Sequence, residues 1–257
     1  MSYLVSQTRD VVEYFRDAAP PMSAFHGSSI WFEANGRPLQ WHLPFGLLRD
    51  LLCGYGPEAD ADADLPWALT VHFRGFPSDV LLPCDNEMSV ESYFMHSLKQ
   101  ATFLRMGSTK VVMALPEAQQ TQIWTSITQS TCALASSSYR EATRELQLDG
   151  GIDASALRHL PLRVHLDNAP AIQMPIAPLQ DGREKTLLEV LRYLLPDLFP
   201  SDEAERSATA EDPQRPELVV HGIPVPAAVS IVALYRHFAY ADGFLYVAVL
   251  ERPPPIR

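Results

Sequence analysis

The 257-residue chain is poor in cysteine and in lysine, and both shortages are informative. Its three cysteines, Cys53, Cys84 and Cys132, are far apart, odd in number and outside any CxxC spacing. Such usage predicts neither a disulfide framework nor a zinc site, and it is typical of a reducing compartment. There are three lysines against seventeen arginines, so each lysine needs its own explanation.

Long apolar runs and an excess of positive charge are also missing. No stretch approaches the roughly 18 consecutive apolar residues that a membrane-spanning helix requires. The start, MSYLVSQTRDVVEYF, lacks the basic and then apolar order of a signal peptide, so we expect a cytoplasmic protein. The net charge of −11 argues against nucleic-acid binding, because that binding depends on clustered lysine and arginine.

The sequence also lacks the motifs of an active site. It has no glycine-rich phosphate loop and no G-x-S-x-G nucleophile elbow. The eight histidines include no pair with metal-ligand spacing and a third ligand, and Cys84 has no visible activating base. We therefore expect no metal, no cofactor and no active site of the protein's own.

Three polar stretches divide the chain. Residues 54–64 and 201–217 are acidic and poor in large apolar side chains, which is typical of linkers or exposed loops. Residues 146–155 contain the pair Gly150-Gly151 and mark a domain boundary. The predicted domains are therefore 1–85, 86–150 and 156–254.

The first and third domains repeat one order of elements. IWFEANGRPLQWHLPFGLLRDLL and then WALTVHF indicate strand, Asn35-Gly36 turn, strand, short helix and strand, and residues 218–250 repeat that order. In the third domain, a helix with a Thr186–Glu189 capping box precedes this unit, and a hairpin of LPLRVHL and AIQMPIA precedes the helix. This is the order of a ubiquitin-like β-grasp domain. Its predicted core contains Leu187, Val190, Leu191, Leu194, Val219, Val232, Leu245 and Val247.

The first domain has no matching hairpin. Only SYLVS, enough for one strand end, precedes its helix at residues 7–21, so we predict one or two strands fewer than in the third domain. The middle domain is helical in pattern, with one helix from Ser89 to Arg105 and another starting near Pro116. The predicted fold class is α+β: two ubiquitin-like β-grasp domains, the first incomplete at its N-terminus, flanking a helix-rich domain.

Lys99 is the one lysine of the helix from Ser89 to Arg105. At about 100° per residue it lies almost opposite the apolar stripe, with Met95 and Phe103 at the i−4 and i+4 positions. Two interpretations stay open. In one, Lys99 is solvated and the two apolar side chains are covered by another part of the chain. In the other, Met95 and Phe103 form an exposed docking patch around the lysine.

Several motifs resemble the autophagy protein 5 family. The resemblance covers nearly the whole chain in order, diverges in the helical segment after Gln100, and implies two ubiquitin-like domains flanking a helix-rich one. Family members carry a further helix and hairpin at the N-terminus that this sequence does not match. The motifs are Trp31-Phe32-Glu33, Trp41-His42 with Pro44, Leu65-Pro66-Trp67, Val71-His72-Phe73, Phe94-Met95 before Lys99, and His221-Gly222-Ile223.

The resemblance also implies a function. Lys99 matches the family's acceptor lysine, whose amine forms an isopeptide bond with the C-terminal glycine of autophagy protein 12, carried by a conjugating E2 enzyme. The conjugate binds autophagy protein 16 non-covalently. Like an E3 ligase, it then promotes transfer of autophagy protein 8 to phosphatidylethanolamine, as a peripheral protein of the preautophagosomal membrane.

Two alternatives accompany this expectation. The chain is either a conjugated scaffold or an interaction module of two β-grasp domains that is never conjugated. If it is conjugated, Lys110 is the second candidate acceptor, since it lies in a segment that also has helical character.

Overall fold

The computed structural model describes residues 3–16, 30–53, 66–84, 87–129, 137–146, 153–167, 169–200 and 216–251. The acidic stretch 54–64, the pair Gly150-Gly151 and residues 201–215 lie outside the described residues. The end of the second predicted linker was placed too far along the chain, because a strand already begins at Glu217.

The first domain is a small antiparallel sheet with short helices against it. Its elements are a 3₁₀ helix (Leu4–Gln7), α1 (Thr8–Tyr14), β1 (Trp31–Ala34), β2 (Arg37–Pro38), α2 (Phe45–Cys53) and β3 (Thr70–His72). The strand order is β2-β1-β3, and both pairs are antiparallel. Asn35 and Gly36 have φ values of 52° and 78°, which confirms the predicted tight turn between β1 and β2.

Two features of this domain bear on the sequence prediction. Among the described residues its sheet has three strands, against four in the main sheet of the third domain, as predicted. The prediction that SYLVS contributes a strand end is wrong. The backbone there is a 3₁₀ turn in which the amide of Ser6 donates to the carbonyl of Tyr3, at 3.1 Å, and Leu4 is buried.

The middle domain is built around one long helix. Its helices are α3 (Glu87–Met106), α4 (Lys110–Met113), α5 (Glu117–Gln129) and α6 (Ser137–Ala142). Gly107 ends α3 with a φ of 73°, and α5 begins directly after Pro116, as predicted. Phe94 and Leu98 of α3 pack with Ile123 and Ile127 of α5, so α3 is the centre of the helical core.

The third domain follows the predicted β-grasp order. Its elements are β4 (Leu162–Leu166), β5 (Leu179–Gln180), β6 (Arg183–Glu184), α7 (Leu187–Leu194), β7 (Glu217–Val220), β8 (Ile223–Pro224), α8 (Ile231–Phe238) and β9 (Leu245–Leu250). The main sheet has the order β4-β9-β7-β8, with β4 and β9 parallel. The capping box predicted for α7 is present, with Thr186 accepting from the amide of Glu189 at 3.2 Å.

The hairpin predicted before α7 is only partly formed. β4 is regular, but residues 171–177 form only two isolated bridges: Ile172 with Val164 of β4, and Ile176 with Leu160 just before β4. Pro175 and Pro178 flank Ile176. Proline has no amide hydrogen to donate, so a regular ladder does not continue through this segment.

Strand β9 connects the domains because it is buried on both faces and contributes side chains to two cores. Leu245, Val247 and Val249 face the core beneath α7 and α8. The alternate residues Tyr246 and Ala248 face a second core, which they share with the first domain. That shared core contains Leu39, Leu43, Leu47 and Leu48 of the first domain and Ala101 of α3.

Most of the predicted third-domain core is confirmed. Seven of the eight residues are buried, and Leu194 is only partly buried at the end of α7. Val219 is buried on the opposite face, in the core shared with the first domain.

Removing the Leu191 side chain tests this core. Leu191 is fully buried, so Leu191→Ala should lower the free energy of unfolding by about 2–5 kcal/mol. Tyr193→Ala is the matched control, since Tyr193 is on the same helix and 64% exposed. Urea unfolding of both variants measures the difference. A loss below about 1 kcal/mol for Leu191→Ala would contradict the assigned helix face.

Candidate functional site

The candidate acceptor Lys99 lies in the middle of α3 and is half-buried. Ser97 and Leu98, the two residues before it, are buried, while His96 and Gln100 are exposed. Lys110 is exposed at the start of the short helix α4. Both candidate amines are therefore at the surface, and Lys99 is the one in a long, well-packed helix.

Of the two interpretations of this part of α3, the exposed docking patch is wrong for Met95. Met95 is 7% exposed and packs in the helical core. The helical wheel assumed one apolar face, but α3 contacts two cores, so a wider arc of its surface is buried. Phe103 is 52% exposed, as the patch requires, and Met106 three residues later is 37% exposed. Lys99, Phe103 and Met106 follow the spacing of one helix face.

A buried guanidinium lies beside this turn of α3. Arg163 of β4 is 7% exposed, and its guanidinium donates to the hydroxyl of Ser97 (3.3 Å) and to Oε1 of Gln100 (2.9 Å). It also donates to the hydroxyl of Tyr246 at 2.9 Å and to Oε1 of Gln173 at 2.8 Å. Arg163 thus binds α3 to the third domain at the two residues that bracket the Leu98-Lys99 pair.

The positive charge of Arg163 interacts with an aromatic ring and with a buried carboxyl group. Its guanidinium carbon lies 3.8 Å from the centre of the Phe244 ring. Asp242 is buried and accepts from the hydroxyl of Tyr246 at 2.6 Å and from the amide of Phe244 at 3.1 Å. Burial raises the pKa of Asp242, and the positive charge of Arg163 opposes that rise. Burial would likewise lower the pKa of Arg163, but Tyr246 and Asp242 raise it, so Arg163 is charged.

Two histidines, His42 and His165, lie close to Arg163. His165, also on β4, is buried against Tyr246 with ring centres 5.6 Å apart. Burial lowers the pKa of His165 to about 4, and the charges of Arg163 and His42 add to the effect. His165 is therefore neutral at neutral pH. Its contribution here is packing against Tyr246.

The chemistry available here is that of a presented lysine. Among the described residues, no group of three or more histidine, cysteine or acidic side chains is arranged to hold a metal ion. Within the same residues, no helix is long and apolar enough to cross a membrane. The site contains one primary amine, that of Lys99, on a helix whose adjacent residues Ser97 and Gln100 are hydrogen-bonded to the buried Arg163.

The hydrogen bonds of Arg163 were not predicted from the sequence. The sequence indicated a strand in LPLRVHL, but no sequence pattern pairs Arg163 with Ser97 and Tyr246, which are more than 60 positions away. One signal was available. Arg163 lies in a strand whose two neighbours, Leu162 and Val164, are apolar, and a charge there requires a buried partner.

Comparisons with known proteins agree with this architecture. Family models described as "Autophagy protein ATG5" match in domain order: the UblA domain at residues 1–73, the alpha-helical bundle region at 87–134 and the UblB domain at 159–249. An autophagy protein 5 from Phaeosphaeria nodorum is 32% identical over 254 residues, which is 88% of this chain and 77% of that protein. One from Arabidopsis thaliana is 43% identical over 114 residues, 44% of this chain and 31% of that protein.

A solved structure gives the same result. The crystal structure of Kluyveromyces marxianus Atg5 superimposes with a TM-score of 0.71 at 26% sequence identity, covering 96% of this chain and 83% of that one. Two ubiquitin-like domains flanking a helical bundle are therefore the fold of this chain.

The low pKa of His165 has a measurable consequence. In the unfolded chain this imidazole takes up a proton near pH 6.5, whereas in the folded protein it does so only near pH 4. Stability that is present above pH 6.5 is therefore lost as the pH falls towards 4. At pH 5 the loss from this group should be about 2 kcal/mol.

His165→Phe isolates that loss because it removes the titration and keeps an aromatic ring against Tyr246. Urea unfolding at pH 7 and pH 5 should show a smaller decrease in stability for the variant than for the wild type. The comparison is needed because Asp50, whose pKa burial raises to about 6, makes the opposite contribution in both proteins. Equal decreases in the two proteins would contradict the assignment.

Proposed function

Because the chain belongs to the autophagy protein 5 family and so has a role in autophagy, we propose that Lys99 is its acceptor for the ubiquitin-like modifier autophagy protein 12. The observation that carries the proposal is the position of Lys99. It follows the Phe94-Met95 pair of the family motif, and it lies at the surface of a long helix whose other sides are packed.

The proposed step is aminolysis of a thioester. A conjugating E2 enzyme carries the modifier as a thioester between its own cysteine and the modifier's C-terminal glycine. The neutral amine of Lys99 attacks the thioester carbonyl, a carbon–nitrogen bond forms, the carbon–sulfur bond breaks, and the thiolate leaves on the E2 enzyme. The proton released from the amine must be taken up by the E2 enzyme or by water.

The chain itself is proposed to act as a scaffold with no active site of its own. In this proposal the conjugate binds autophagy protein 16 non-covalently and promotes transfer of autophagy protein 8 to phosphatidylethanolamine. Its membrane association is then peripheral, at the preautophagosomal membrane. The support for this scaffold role is architectural, because two β-grasp domains share a core and hold α3 between them.

A second candidate is a non-conjugated interaction module. A cavity of about 640 Å³ in the first domain favours it, since apolar cavities of that size are typical of binding sites. The cavity is lined mainly by aromatic and aliphatic side chains, among them Leu4, Phe32, Phe45, Trp67 and Phe73. Mass spectrometry of the isopeptide linkage separates the two functions.

The substitution Lys99→Arg tests the acceptor assignment. It keeps the positive charge and most of the stem, so the melting temperature should be unchanged, but a guanidinium stays protonated and does not attack. In a reconstituted reaction with the charged E2 enzyme, we expect the conjugate to be lost. Lys110→Arg is the matched control and should conjugate at the wild-type rate. The assignment is wrong if Lys99→Arg still forms the conjugate and Lys110→Arg does not.

A further inference from the structure

We propose that Arg163 is a positioning residue for conjugation at Lys99, and this inference rests on the proposed function. By clamping Ser97 and Gln100, its guanidinium fixes the turn of α3 that carries the acceptor lysine relative to the third domain. Arg163 does not touch the reacting atoms. Its effect is on the direction in which the amine is presented to the E2 enzyme.

The contacts lie on both sides of the lysine in sequence. Ser97 is two residues before Lys99 and Gln100 is the next residue, and one guanidinium binds both side chains. Two contacts three residues apart on a helix span nearly one turn. They therefore oppose rotation of this turn about the helix axis, which would swing the Lys99 side chain.

Arginine suits this position because its planar fork can donate in several directions at once. The other side of the guanidinium is fixed by Tyr246, whose hydroxyl in turn donates to the buried Asp242. The ring of Phe244 covers one face of it. These groups belong to the third domain, so the guanidinium of Arg163 holds α3 in a fixed position relative to the sheet of that domain.

A second tether also holds α3 to the third domain. The amides of Arg158 and His159 donate to the carbonyls of Arg105 and Leu104 at 2.9 and 3.0 Å, near the C-terminal end of α3. The apolar core also holds Phe94 and Leu98. Loss of the clamp is thus expected to loosen the Lys99 turn and leave the helix in place. Displacements of about 1 Å at a reacting group can reduce a rate by up to about 100-fold.

Substitutions of Gln100 test the clamp. Gln100→Leu keeps the approximate shape and removes the acceptor, while Gln100→Glu keeps an acceptor oxygen for the guanidinium. In single-turnover transfer from the charged E2 enzyme, we expect Gln100→Leu to lower the saturated rate about 5- to 20-fold with an unchanged half-saturating concentration. We expect Gln100→Glu to retain most of the rate. Acylation of Lys99 by a small activated ester, followed by mass spectrometry, should be equal in all three proteins.

Ser97→Ala separates positioning from direct contact with the E2 enzyme, because Ser97 is buried and does not reach a partner. It should lower the saturated rate in the same way as Gln100→Leu. Combining Gln100→Leu with Arg163→Met should give no further loss than Arg163→Met alone. If the Gln100→Leu loss persists in full in that background, or Ser97→Ala transfers at the wild-type rate, the clamp is refuted. The two Gln100 variants and Ser97→Ala still test the positioning role of Arg163 if Arg163→Met does not fold.

The same experiment separates this inference from the proposed function. If the wild-type protein forms no conjugate on Lys99, the proposed function fails. If the wild type conjugates there and both Gln100→Leu and Ser97→Ala match its rate, only the positioning role of Arg163 fails.

Discussion

The two-sided burial of strand β9 is the constraint on which the rest of the structure depends. One face of the strand completes the core under α7 and α8, and the other completes a core shared with the first domain. A strand buried on both faces must be apolar almost throughout, and LYVAVL is. The two β-grasp domains therefore do not behave as separate units on a linker. They share buried side chains, and α3 enters the shared core through Ala101.

This arrangement brings the charged Arg163 and its hydrogen-bond partners to the junction between the third domain and α3. Tyr246 is a residue of β9, and its hydroxyl reaches the polar cluster of Arg163, Asp242, Ser97 and Gln100 at the edge of the shared core. A buried charge is costly unless polar groups compensate it, and Arg163 donates to four side chains and lies over the ring of Phe244. Such a network contributes less to net stability than to geometry, because its bonds are satisfied in one relative placement of α3 and the third domain.

A fixed helix suits the proposed acceptor role, in which the chain needs no active site of its own. In ubiquitin-like transfer the reactive thioester is on the E2 enzyme, so the acceptor contributes the position and direction of its amine. Lys99 lies on a helix held at mid-length by Arg163 and near its end by the backbone of Arg158 and His159. The exposed Phe103 and Met106 are on the same face, where a bound protein would meet them together with the lysine.

The sequence by itself determined the local elements and the order of elements that the first and third domains share. The Asn35-Gly36 turn, the Thr186–Glu189 capping box and the proline before α5 each depend on neighbouring residues, so local pattern was enough to predict them.

Only the tertiary structure decided which helix faces are buried and where the charges are paired. The wheel left the exposure of Met95 open, because it shows one apolar stripe and does not show that α3 has two cores around it. Arg163 meets Ser97 and Tyr246 across separations of 66 and 83 residues, and no local periodicity encodes such contacts. They arise from the parallel pairing of β4 with β9 and from the packing of that sheet against α3. Both form only in the folded protein.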